Sequence, residues 1–287
     1  MTMKNNPLLM VDPRFFIALM LLLALGAANL LNPVQAEILV IGGTGSSAPL
    51  VEQFTQAYKS LKPEITVRVI SPPMGSNASI RAILAGVIDL AVPGKPLTEE
   101  QKAQGGQDWP LGRTPFLLVT SREQEYAGFT VEQLAAIYSG KMTAWADGSP
   151  IRLVLRSPME SDTLILRKLS PLMDQAIDAA LARPGMLMAA NDLENIALLE
   201  KTPNSIGTTN LGLIQGQERK LRILPLNGAP PTLAAMTQGD YPYFKTLYIA
   251  RGPTLSPEAQ GFLEFMLSAS GREILDRTGY APVPPQR

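Results

Sequence analysis

The chain of 287 residues contains no cysteine and no histidine. Without cysteine there is no disulfide, no thiolate metal ligand and no lipid-modified cysteine at an export cleavage point. Without histidine there is no Ser-His-Asp triad, no imidazole general base and no ordinary zinc-enzyme site. Carboxylate pairs, a Ser–Lys dyad or an activated lysine are the catalytic options left. The composition leans away from catalysis, and no enzymatic activity, cofactor or metal is expected. An excess of one charge is lacking too: 25 Lys and Arg balance 25 Asp and Glu. Nothing in that balance favours holding a nucleic-acid backbone.

One long apolar run is present, over residues 15–31. Lys4 and Arg14 precede it, and Val34-Gln35-Ala36 follows as a small-x-small cleavage site. Residues 1–36 therefore read as a signal peptide; the alternative is an uncleaved anchor, since the run is about the minimum length for a membrane span. Setting aside Lys4, Arg14 and Asp12 leaves 23 basic and 24 acidic side chains in residues 37–287. An exported chain without a lipid-bearing cysteine is expected free in the periplasm. Its length suits one bilobal domain or two small ones.

Ile38-Leu39-Val40-Ile41 reads as a buried strand feeding Gly42-Gly43-Thr44-Gly45-Ser46-Ser47. An amphipathic helix follows over residues 48–61, with Leu50, Phe54, Ala57, Tyr58 and Leu61 on one face. Free N–H groups and the Ser46 and Ser47 hydroxyls thus converge at the positive end of a helix dipole, a setting that suits an anion. Residues 65–70 alternate as a strand. Gly75-Ser76-Asn77-Ala78-Ser79 opens a helix over residues 80–85, and residues 88–92 form a short buried strand. This β-α-β-α-β order implies a parallel sheet with helices on its faces.

Further along, residues 115–120, 151–155, 205–207, 221–224 and 244–249 read as strands. Thr130 with Gln133 forms a capping box at a helix start. Ser161-Asp162-Thr163 reads as the cap of a helix to residue 169, a second helix spans 174–182, and one helix covers 257–277. Tyr138, Trp145 and Met186-Leu187-Met188 read as core. Three polar turns thus follow strands and open helices, and in open α/β sheets ligands sit beyond the carboxyl ends of strands. Ser46 and Ser47, Ser76 and Asn77, and Ser161 and Thr163 can therefore face one cleft, or serve only as caps and loop entries. Arg156, at a strand end, offers a planar donor fork to an oxyanion. Its alternative is a surface pair with Glu160 or Asp162.

Several segments, in order, carry a likeness to a known family. They are Gly43-Thr44-Gly45-Ser46-Ser47-Ala48-Pro49, Gly75-Ser76-Asn77-Ala78-Ser79-Ile80-Arg81 and Gly86-Val87-Ile88-Asp89-Leu90-Ala91. Leu134-Ala135-Ala136-Ile137-Tyr138-Ser139-Gly140-Lys141 with Trp145, Ser205-Ile206-Gly207, Tyr241-Pro242, and Gly271-Arg272-Glu273-Ile274-Leu275 with Gly279-Tyr280 follow. Together they resemble the phosphate-type substrate-binding proteins of bacterial ABC importers. The resemblance implies an α/β fold of the type 2 periplasmic binding protein kind: two lobes, each a mixed sheet flanked by helices, with a ligand cleft between them. The first lobe would comprise residues 37–114 and 246–287, and the second residues 115–245. A monomer of this kind captures an inorganic oxyanion, phosphate foremost, and delivers it to an inner-membrane ABC permease.

By the same resemblance the ion is held by Ser46, Ser47, Ser76 and Asn77 from the first lobe and by Arg156, Ser161 and Thr163 from the second. Two positions depart from the family's pattern. Asp162 stands where a glycine normally lets backbone approach the ligand; it would repel a dianion unless turned away or paired, for instance with Arg156 or Arg167. Gly94-Lys95 stands where phosphate binders place an aspartate that accepts the ligand's proton. Two other readings remain beside this one. The first is an extracytoplasmic scaffold or sensor with a degenerate cleft. The second is a NAD(P)-binding Rossmann reductase, suggested by Gly42-x-x-Gly45-x-x-Ala48 and the Tyr241-x-x-x-Lys245 spacing. Against the reductase, no acid closes the strand at Val69-Ile70-Ser71 to hold a ribose, and Pro242 does not suit a catalytic helix interior.

Overall fold

The computed structural model describes residues 38–215 and 219–283; the signal-peptide reading of residues 1–36 lies outside them. Strand β1 (Ile38–Gly43) enters a 3-10 turn (Gly45–Ser47) and then helix α1 (Ala48–Leu61). Strand β2 (Thr66–Val69), helix α2 (Ser76–Leu84) and strand β3 (Leu90–Val92) complete a βαβαβ unit with parallel strands. Helix α3 (Glu99–Ala103) leads into the 14-residue strand β4 (Gln107–Thr120). Next come α4 (Val131–Tyr138), β5 (Arg152–Arg156), α5 (Ser161–Arg167), α6 (Pro171–Leu181), β6 (Leu187–Ala189), α7 (Asp192–Lys201) and β7 (Ser205–Asn210). Helix α8 (Leu211–Ile214), strand β8 (Arg222–Leu224) and helix α9 (Leu233–Gln238) precede strand β9 (Phe244–Arg251). Helices α10 (Pro257–Leu267) and α11 (Ala269–Arg277) and strand β10 (Ala281–Pro282) follow.

The strands form one ribbon in the order β2-β1-β3-β9-β4-β7-β5-β6, with β8 and β10 also paired to β4. At its middle, β4 and β9 run antiparallel from Gln107 opposite Arg251 to Pro115 opposite Phe244. A core lies on each side of that pair. The first gathers Ile41, Phe54, Leu90, Ile249, Phe262 and Tyr280; the second gathers Phe116, Leu134, Trp145, Leu155, Met173 and Ile206. Strand β4 serves both, giving Leu111 to one and Phe116 and Leu118 to the other. Helix α1 buries Leu50, Val51, Phe54 and Tyr58, and the Tyr58 ring meets Phe262 edge-on at 4.9 Å. Each such buried side chain contributes roughly 1.5–3 kcal/mol.

Helix starts follow local chemistry. Thr130 accepts from Gln133 N–H at 3.2 Å while Gln133 Oε1 accepts from Thr130 N–H at 2.9 Å, the reciprocal cap expected there. Two expectations change. The helix expected over 257–277 breaks at Ser268, whose extended ψ of 178° ends α10 and whose hydroxyl accepts from Gly271 N–H at 3.2 Å to start α11. Of Met186-Leu187-Met188 only Met186 packs against the second core: β6 pairs with β5 alone at the ribbon's edge, leaving Leu187 and Met188 exposed. Tyr138 and Trp145 are buried as expected.

Candidate functional site

A cavity of about 500 Å³ opens between the two cores. Ser76 and Asn77, at the start of α2, form one wall, and Ser161, at the start of α5, lies on the other. Four cations reach it, Arg81, Lys95, Lys168 and Lys245, against the single acid Glu160. Such an imbalance between low-dielectric walls concentrates anions. Gly75 precedes Ser76 with φ +79°, a region open to glycine, and donates to the Gly43 carbonyl at 3.0 Å. Ser76 Oγ accepts from Gly94 N–H at 2.9 Å, and Asn77 Oδ1 accepts from Lys95 Nζ at 2.5 Å. The segment that lacks an aspartate thus delivers a cation to the cleft.

Beneath the cavity lies a buried ion cluster. Lys245 Nζ donates to Asp162 and, at 3.1 Å, to Asp192 Oδ1. Asp162 also accepts from Thr208 Oγ1 at 2.8 Å. Asp192 Oδ2 accepts from Ser46 N–H at 3.0 Å and Thr44 Oγ1 at 3.2 Å, and lies 3.8 Å from Arg156 Nη2. Arg156 Nη2 donates to Glu160 Oε2 at 3.0 Å. Burial would raise the Asp192 carboxyl, but the Lys245 and Arg156 charges and the bonds from Lys245 and Thr44 hold it below its ordinary value. Burial would likewise lower the Lys245 ammonium, but Asp162 and Asp192 hold it above its ordinary value. Gly45 makes the approach of Asp192 feasible, for a Cβ there would stand 2.9 Å from Asp192 Oδ2. Tyr280 braces the turn by donating to the Ser46 carbonyl at 2.9 Å.

A family model described as a PBP superfamily domain matches residues 31–270. The chain belongs to the PBP superfamily. Among curated relatives, the phosphate-binding protein PstS of Borreliella burgdorferi is 24% identical over 260 residues, covering 88% of this chain and 92% of that protein. PstS of Staphylococcus saprophyticus is 21% identical over 268 residues, covering 85% and 80%. A putative phosphate ABC transporter substrate-binding protein of Clostridium perfringens, solved with bound phosphate, superposes with a TM-score of 0.74 at 19% identity, covering 86% of this chain and all of that one. An ABC-type phosphate transport receptor of Vibrio cholerae gives 0.61 at 21% identity, with the same coverage.

Within this PBP superfamily fold the expected ligand residues divide in two. Ser76, Asn77 and Ser161 line the open cavity. Ser46, Ser47, Arg156 and Thr163 lie buried below it. Ser47 Oγ donates to the Thr44 carbonyl at 2.8 Å and Thr163 Oγ1 to the Ser157 carbonyl at 2.8 Å, so both hydroxyls are spent on backbone. None of the three serine turns caps by its hydroxyl: the N-caps are Ser47, Gly75 and Glu160, none with a side-chain bond to the N–H groups of its helix. Asp162 is paired, though with Lys245 rather than Arg156 or Arg167; Arg167 is engaged by Asp174 and Asp178.

Two members of the buried cluster were not anticipated as site residues. Lys245 shares an inward strand face with Leu247 and Ile249, and a lone cation on an apolar face was its signal. Asp192 carried only the mark of an acid after an Asn N-cap. The reductase reading falls with the fold. Lys245 sits on a strand, and the Tyr241 hydroxyl donates to the Phe116 carbonyl at 2.5 Å inside the core. Among the described residues no group of three or more acidic side chains could hold a metal ion.

Proposed function

We propose that the protein binds an inorganic oxyanion, phosphate foremost, between two lobes and presents it for ABC import outside the cytoplasm. The observation that carries this reading is the cationic cleft between two cores, walled by Ser76 and Asn77 on one side and Ser161 on the other. The proposed lobes divide near residues 114–115 and 245–246, a reading supported by the antiparallel β4–β9 pair ending there and by β4 giving side chains to both cores. Ser76, Asn77 and Ser161 face the ion directly, while Arg81, Lys95 and Lys168 supply the field. Neutral donors bind without trapping, which suits a carrier that must release its cargo when the lobes part. The proposed ABC partner follows the relatives' printed roles, the periplasmic setting follows the signal-peptide reading of residues 1–36, and the monomeric state follows the resemblance alone. Ser46 and Arg156 are engaged by Asp192 in this conformation, and that internal occupant favours a second reading, a scaffold or sensor whose cleft takes no ion.

A thermal-shift screen over phosphate, sulfate, molybdate and phosphonates decides between them. Phosphate at a hundredfold excess over its Kd should add about 2.7 kcal/mol, a rise of several degrees. A melting temperature indifferent to every oxyanion leaves the scaffold reading.

A further inference from the structure

We infer that Asp192 is the resident anion of the cleft's deep seat: its carboxylate occupies the place of an oxyanion at the Thr44–Ser46 turn, so an incoming oxyanion competes with this protein's own side chain. The contacts are those an anion would make. Oδ2 takes a backbone N–H from Ser46, a hydroxyl from Thr44 and a guanidinium from Arg156, and Oδ1 takes the ammonium of Lys245. Asp192 also stands in the first turn of α7, where an acid suits the helix dipole. A carboxylate placed for that purpose alone would bond N–H groups of α7. The Asp192 carboxylate instead reaches across to β9 and to a turn some 148 positions earlier in the chain.

Charge and geometry agree. Arg156 and Lys245 face Asp162 and Asp192, and Arg156 also pairs with the partly exposed Glu160, so the cations of the cluster are already matched with no ligand present. A dianion entering beside both carboxylates meets strong repulsion in a low-dielectric site. The seat also offers more than two carboxylate oxygens can use: Arg156 Nε and Nη1 are buried with no hydrogen-bond partner among the described residues. A tetrahedral ion, with four acceptor oxygens, meets those donors once Asp192 withdraws. Separation of the lobes takes the Thr44–Ser46 turn away from Asp192, because the turn follows β1, whose Leu39 and Ile41 belong to the first core, while Asp192 opens α7, which packs against β5 and β7.

The seat stands on contacts within this chain; its bearing on affinity rests on the oxyanion reading above. The test is Asp192→Ala titrated with formate, a carboxylate small enough to replace the lost side chain, against sodium chloride at equal ionic strength. The variant should melt below the wild type, and formate should restore part of the loss while leaving the wild type unmoved. A variant that ignores formate, or stays unfolded at every formate concentration, overturns the inference. Asp192→Asn, which keeps the shape without the charge, should bind phosphate about tenfold or more tightly than the wild type by calorimetry. Phosphate binding that is measurable in the wild type and equal or weaker in Asp192→Asn also overturns it. If formate rescue holds while no form binds phosphate, the resident anion stands and the phosphate reading falls.

Discussion

Lys245 is 4% exposed, and its ammonium is the hinge of the buried charge balance. Deleting it strands Asp162 and Asp192 side by side in a medium that cannot solvate them. Lys245→Met should therefore cost about 3–5 kcal/mol, read from the denaturant midpoint. The pH limbs follow from the same cluster. The carboxyl of Asp192 lies below its ordinary value, so its contribution is present above about pH 4 and fades as pH falls through its folded value. The ammonium of Lys245 lies above its ordinary value, so its contribution is complete below about pH 10 and fades as pH rises through its folded value. Unfolding free energy measured against pH should thus show an acid limb that flattens in Asp192→Asn. A selectivity prediction rests instead on Lys95, which lines the cavity. Hydrogen phosphate needs an acceptor for its proton, and sulfate does not; with Lys95 on the cleft, sulfate should compete with phosphate, and Lys95→Asp should shift preference toward phosphate. At this scale Arg156 was legible as a donor fork at a strand end, and so was its pair with Glu160, whereas its second counter-ion, Asp192, was not: nothing local marks a partner 36 positions away.

Elements were legible where apolar periodicity is strong. The βαβαβ unit over β1 to β3 announces itself because β1 and β3 are short apolar runs, β2 alternates and α1 carries a clear stripe. Helix α7 escaped notice because it buries Asp192 and Asn195 as well as Ile196 and Leu199, so its inward face is half polar and no stripe stands out. The break between α10 and α11 escaped because both segments keep a helical pattern and only the Ser268 hydroxyl separates them. Ser268→Ala should cost about 1 kcal/mol in denaturant unfolding, the usual loss of an N-cap. A second element-scale outcome concerns the turn before α1. A Cβ on Gly45 would meet Asp192 Oδ2 at 2.9 Å and Asp192 N at 3.0 Å, so the start of α7 must retreat. Gly45→Ala should destabilise the protein by about 1–3 kcal/mol by the same measurement.

For the molecule as a whole, two cores joined by β4 and β9 leave two strands to absorb any relative motion of the halves. The ordered motifs made this architecture legible, and those around Ser46 and Ser76 lie at a strand end or helix start. One long-range contact was not legible, since it joins a turn near residue 45 to a helix start at residue 192 through a lysine on a third segment. Pairings at such sequence separations depend on topology, which local pattern does not encode. Their consequence can be measured in solution. With Asp192 seated in the Thr44–Ser46 turn, the ligand-free wild type gains bonds across the cleft and should populate the closed form. Asp192→Ala removes those bonds and frees the halves to part, so its radius of gyration by small-angle scattering should exceed that of the wild type. Saturating phosphate supplies the missing bridge and should return the variant to the wild-type value, since a ligand shifts the equilibrium by as much as its preference for the closed state. Identical radii for both proteins, with and without phosphate, would mean that the cleft neither opens on loss of the carboxylate nor closes on the ion.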